Sequence, residues 1–141
     1  MNKMIAFLSA AGVASLITAG SALAGAYPTS VVGVWNIRAN DTQLFTFTVE
    51  KQSSDSPCAQ ITGVLGAPND PIVGYYCPAT GLVSFERNSA STGATFQVFT
   101  GQLSWANSGK PYTQMTGNFS NYGGGDDTGA FAFTADLPPP T

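Results

Sequence analysis

Residues Thr95 to Trp105 alternate in polarity with a period of two, and they hold apolar side chains on both faces. This pattern constrains the chain more than any other. A period of two belongs to an extended strand, not to a helix. Thr95, Gln97, Phe99, Gly101 and Leu103 share one face, and Phe96, Val98, Thr100, Gln102 and Ser104 share the other. Neither face is plainly the wet side. That suits a barrel strand with a filled interior and a partly covered exterior, with a sandwich strand as the competing reading.

The rest of the chain repeats the theme. Val31 to Arg38, Leu44 to Lys51, Cys58 to Leu65, Ile72 to Cys77 and Leu82 to Arg87 read as strands before it. Tyr112 to Asn121 and Thr128 to Asp136 read as strands after it. The turns between them are rich in Gly, Asn, Asp and Pro, and Pro138-Pro139-Pro140 ends the pairing. Eight strands joined mostly by short loops, with no convincing helix, predict an all-β chain. The expected architecture is an eight-stranded antiparallel up-and-down β-barrel, because closure removes exposed edges.

One register can be worked out. Cys58 to Leu65 and Ile72 to Cys77 flank a six-residue turn, Gly66 to Pro71. If Leu65 faces Asp70, Cys58 faces Cys77. A non-hydrogen-bonded antiparallel pair holds its α-carbons about 4.5 Å apart, inside the disulfide window. A structural Cys58–Cys77 bridge is therefore expected, and no C-x-x-C spacing points to redox chemistry.

The first residues look like a secretory signal. Lys3 gives a basic start, Met4 to Ile17 is largely apolar, and Ala22-Leu23-Ala24 fits a small-x-small cleavage rule. Ser9, Ser15, Thr18, Gly20 and Ser21 dilute the run, which disfavours a membrane anchor. We divide the chain into a leader, residues 1–24, and one barrel domain, residues 25–141, secreted or periplasmic. Beyond the leader no membrane association is expected. Four basic residues then face eight acidic ones, with no basic stripe, so nucleic-acid binding is disfavoured. There is no histidine. That removes the commonest general base and the serine–histidine pair. Glu86, Asp126, Asp127 and Asp136 read as solvated charges, so the expectation is a non-enzyme without a cofactor.

Several short motifs, in order along the chain, resemble the avidin/streptavidin family. Gly33-x-Trp35 resembles the first-strand G-x-W, Ile61-Thr62-Gly63 the third-strand T-G, and Val83-Ser84-Phe85-Glu86 the fifth-strand V-x-W-K. Val98-Phe99-Thr100-Gly101-Gln102 resembles the sixth-strand aromatic-(T/S)-G-Q, and Phe133-Thr134 the closing F-T. The resemblance implies a ligand-binding barrel whose family binds biotin. Carried over residue by residue, it puts Ile37, Leu65 and Ala67 where the family has its ureido-binding Asn, Tyr and Ser. It puts Phe131 in place of the eighth-strand carboxylate, and Phe85 and Met115 in place of two tryptophans. Thr95, Gln97 and Phe99 survive. The implied lining is Ile37, Leu65, Phe85, Thr95, Gln97, Phe99, Met115 and Phe131. Each lost buried hydrogen bond costs about 1–3 kcal/mol. Three losses, with the aromatic clamp thinned, would remove roughly five decades of affinity. The expected ligand is a small, mainly apolar molecule, or biotin held weakly.

The competing reading of the same residues is that they simply fill the barrel. Trp35 then plugs one end. A second functional reading is a calycin-like proteinase inhibitor or other protein-binding barrel, with Gly25 to Ser30 entering a partner's cleft. Phe96 and Val98 would lie outside, and burial of such outer-wall residues points to a homodimer or homotetramer built through the outer faces of the later strands.

Overall fold

A computed structural model describes residues 27–40, 42–104, 113–122 and 129–138. The expected leader lies outside these residues, as do Trp105, Asp126 and Asp127. Eight strands close into one barrel in sequence order, with no helix among the described residues. They are β1 (Gly33–Ala39), β2 (Gln43–Gln52), β3 (Ala59–Leu65), β4 (Asp70–Cys77), β5 (Leu82–Asn88), β6 (Thr95–Leu103), β7 (Thr113–Asn121) and β8 (Gly129–Leu137). All neighbours are antiparallel, and β1 pairs β8 through Asn36↔Asp136 to Ala39↔Phe133 to complete the ring. The all-β, up-and-down, eight-stranded expectation holds.

The hairpin register holds as well. Leu65 pairs with Asp70 and Ala59 with Tyr76, which continues to Cys58 opposite Cys77. Those cysteines form a disulfide with their α-carbons 4.1 Å apart.

Period two then sorts side chains between wall and lumen. Trp35 and Ile37 of β1 are buried, as are Phe47 and Val49 of β2 and Val83 and Phe85 of β5. On β6, Phe99 and Leu103 point inward while Thr100 and Gln102 are exposed. A barrel without covering helices has only its lumen for a core, so the large apolar side chains collect there.

Two T-G motifs explain how the rings fit. Gly101 and Gly117 are register partners on β6 and β7, and both face inward. A Cβ on either would stand 2.9 Å from the Phe133 ring. Their bare backbone is the floor on which that ring lies, a close approach that only glycine permits.

The base of the barrel is sealed by the segment before β1. The Trp35 indole N–H donates to the Val31 carbonyl at 2.9 Å, and the Tyr76 hydroxyl donates to the Pro28 carbonyl at 2.6 Å. The Gln52 side chain accepts from the Val31 N–H and donates to the Thr29 carbonyl. Trp35 is thus a plug at one end.

Candidate functional site

The opposite end is the mouth, where β1, β3, β5 and β7 finish. Between base and mouth the lumen is filled by rings in sequence. Trp35 neighbours Phe47 at 6.5 Å between centroids. Phe47 stacks on Phe85 at 4.7 Å, Phe85 on Phe99 at 4.6 Å, and Phe99 on Phe119 at 4.8 Å. Phe119 meets Phe131 at 5.3 Å, and Phe133 packs its edge on Phe99. Offset stacks and edge contacts at these spacings are favourable geometries for phenyl rings.

A small cavity of about 90 Å³ opens above this row. Phe119, Phe131 and Ala39 form its apolar part, and Asn40, Gln43, Gln97 and Asn121 supply four carboxamides. Asn40 holds its place through a left-handed turn (φ 48°) and a hydrogen bond from its N–H to the Ala132 carbonyl. The cavity equals about three water volumes, at about 30 Å³ each. It is far below the roughly 300–1,000 Å³ of a site that encloses a drug-sized ligand.

A buried ion pair stiffens the rim. Arg87 donates from Nε and Nη2 to Asp70 Oδ2 at 3.0 and 2.6 Å, and from Nη1 to Gln97 Oε1 at 2.9 Å. The two side chains are only 12% and 8% exposed. The second Asp70 oxygen accepts the Ala90 N–H at 2.9 Å, which ties down the loop after β5. The Arg87 guanidinium also lies over the Phe96 ring, 4.9 Å from its centroid. Holding Gln97 by its oxygen leaves the amide NH₂ as the end that can meet the cavity.

The sequence-predicted lining separates into groups. Gln97 and Phe131 line the cavity at the mouth. Phe85 and Phe99 lie beneath it in the ring row, and Ile37, Leu65 and Met115 are buried elsewhere in the lumen. Thr95 is exposed and parts from the others. Its hydroxyl donates to Asn88 Oδ1 at 2.6 Å and lies 3.4 Å from Glu86. The register shifts between Arg87 and Asn88, where Gln97 pairs with the first and Thr95 with the second. Such a bulge breaks the two-residue alternation that had set Thr95 beside Gln97.

Asp70, Arg87 and Phe119 were not among the predicted site residues. A signal for Arg87 exists in the sequence: it follows Val83 and Phe85 at period two, so the alternation already turns it inward. Asp70 precedes Ile72 and Gly74 in the same way on the neighbouring strand.

Away from the mouth, burial pushes the Tyr76 hydroxyl up to about 12, with the nearby Tyr27 adding to the rise. This group serves the base seal. No family model matches the chain, and neither a curated protein nor a solved structure matches it.

Proposed function

We propose that the protein is a secreted, non-catalytic binding barrel of avidin-like architecture that engages a small neutral ligand at its mouth, not within its lumen. The carboxamide ring of Asn40, Gln43, Gln97 and Asn121 over Phe119 and Phe131 carries this reading. Asn40 and Gln43 each carry a carboxamide donor and acceptor, and Gln97 adds its NH₂, so the complementary edge is another amide or a ureido group. The phenyl rings below suit the flat apolar part of such a ligand. The cavity admits an edge of a molecule and not a bicyclic ring system with its chain. Biotin binding is accordingly weak. The disulfide fits an oxidising location outside the cytoplasm.

Titration of the labelled protein with 2-imidazolidone, a bare ureido ring, tests this by NMR. The side-chain amides of Gln97 and Asn121 should shift, and Gln97→Leu should weaken the response about tenfold. Calorimetry should give biotin a Kd in the micromolar range or weaker. Nanomolar biotin binding, or amides that do not move, would overturn the reading.

The protein-binding alternative has less support at the base, because Pro28, Thr29 and Val31 are already hydrogen-bonded to the barrel. The assembly expectation moves along the wall. Phe96 and Val98 are half-buried, while Val73 and Tyr75 of β4 and Leu82 of β5 are 40%, 56% and 42% exposed. We propose a homodimer or homotetramer through that β4–β5 wall. Light scattering should report a multiple of the monomer mass, reduced by Val73→Lys with Tyr75→Lys. A monomeric wild type would refute it.

A further inference from the structure

A second and larger cleft lies beside the mouth, on the far side of Arg87. It has a volume of about 540 Å³ and sits between the β3–β4 turn and the loop that joins β5 to β6. Pro68 and Ala94 supply apolar lining, and the half-buried Phe96 lines it too. Ser89, Ser91, Thr92 and Thr95 place hydroxyls around the edge.

Charge decides what such a cleft accepts. Among the described residues Asp70 is the one charged side chain in its wall, and it is 5% exposed. Both its oxygens are taken, one by Arg87 and one by the Ala90 N–H. Arg87 cancels its charge and is itself turned against the Phe96 ring. No cationic side chain is left to receive an anion, and the exposed Glu86 carboxylate, 3.4 Å from the Thr95 hydroxyl at the edge, repels one. Burying an unpaired charge is costly, so anionic ligands are disfavoured.

The hydroxyls of Ser91, Thr92 and Thr95 have spare capacity. Thr95 donates its proton to Asn88 and keeps lone pairs to accept. Ser89 and Ser91 share one hydrogen bond at 3.0 Å. Ser89 is spent on the loop itself, since its oxygen also accepts the Ser91 and Thr92 N–H groups, alongside backbone hydrogen bonds from Ser89 to Ala94 and from Gly93 to Ser89. Thr92 accepts the Ala94 N–H and keeps its own proton to donate. A phenyl ring backed by a guanidinium, edged by hydroxyls and offering no free cation, matches a molecule with one apolar face and a rim of hydroxyl groups. A pyranose ring has this form. The volume lies within the roughly 300–1,000 Å³ range of small-molecule sites.

We infer that the cleft between Pro68 and Phe96 is a binding site for a neutral saccharide that stacks a sugar face on Phe96. The site is separate from the carboxamide cavity at the mouth.

The test titrates labelled protein with cellobiose and N,N′-diacetylchitobiose, with glucuronate as the charged control. Amide resonances from Ser89 to Phe96 should shift with at least one neutral disaccharide and at least tenfold less with glucuronate. Phe96→Ala should weaken binding at least tenfold. Thr92→Trp leaves the ion pair and Phe96 in place, and it should block the cleft to a similar degree. Saturation with 2-imidazolidone should leave the sugar affinity unchanged. Silence with both neutral disaccharides, equal binding of glucuronate, wild-type affinity in both variants, or competition by 2-imidazolidone would each overturn the inference.

Discussion

Replacing Phe99 by alanine tests whether the lumen is a packed core or a latent pocket. Phe99 is 3% exposed and packs on Phe85 at 4.6 Å, Phe119 at 4.8 Å and Phe133 at 5.4 Å between ring centroids. Each aromatic pair contributes about 0.5–1.5 kcal/mol beyond area burial. Truncating a buried Phe to Ala costs about 3–5 kcal/mol in all, through lost transfer energy and the cavity left behind. Because Phe85, Phe119 and Phe133 would all lose their stacking partner, the value should fall in the upper half of that range, about 4–5 kcal/mol. That is a large share of the roughly 5–15 kcal/mol total stability of a domain. Urea unfolding with the disulfide intact measures it, as a fall in the midpoint at constant slope. The same variant should gain affinity for benzene, because an apolar cavity inside the barrel stays dry. Added benzene would then raise its melting temperature and leave that of the wild type unchanged. A loss below about 1.5 kcal/mol, well under the usual cost of Phe→Ala, would refute the packed-lumen argument. So would benzene binding by the wild type.

Perturbations elsewhere give equally sharp outcomes. Reducing the Cys58–Cys77 bond, which closes a loop of sequence separation 19, should lower stability by about 3 kcal/mol; intact-mass and denaturant measurements on the reduced protein check it. Asp70→Ala should cost about 3–5 kcal/mol by stranding the buried Arg87, whereas Asp70→Leu combined with Arg87→Met should be near neutral. Equal losses for the two in urea unfolding would show that the pair is not desolvated. Tyr76 keeps its proton in the folded state up to about 12, against 10.0 when unfolded. Its contribution is therefore complete below pH 10 and lost as the pH rises through about 12, so stability should decline across that window and Tyr76→Phe should flatten the decline. Ultraviolet titration of the phenolate, alongside thermal melts, reads both.

The fold was largely legible because every strand carries its own alternation. The β3–β4 register was legible for a different reason: turn length and two cysteines both demanded the same pairing, Leu65 with Asp70. Where reading fell short, a local rule was overruled by an interaction from elsewhere in the fold. Asp70 and Pro71 have turn chemistry, yet they belong to β4, because Arg87 on the next strand holds the Asp70 carboxylate. Val31 looks like strand but precedes β1, docked through its N–H on Gln52. Thr95 is misplaced by a bulge, and a bulge adds one residue without a sequence mark. The carboxamide mouth was half visible. Gln97 stood out, but Asn40, Gln43 and Asn121 lie at three different strand ends, and only closure of the barrel brings them together.

Closure also explains why both proposed sites lie at the rim. A sandwich or a helix-covered sheet has a second layer in which to bury apolar side chains. This barrel has none among the described residues, so one lumen must serve as its whole core. Every ring placed there for stability occupies volume that a ligand would need. Phe47, Phe85, Phe99 and Phe119 are stacked continuously, and the carboxamide cavity opens past Phe119. Specific recognition then requires polar groups held rigidly at the rim. The Asp70–Arg87 pair does this for both openings at once. It fixes Gln97 on one side, and on the other it backs Phe96 and anchors the Ser89–Ala94 loop through Ala90. A pair too buried to contribute much net stability thus orients three elements of the two proposed sites. On that account, exchanging it for Leu and Met should preserve the fold and the stability while loosening both rim sites together.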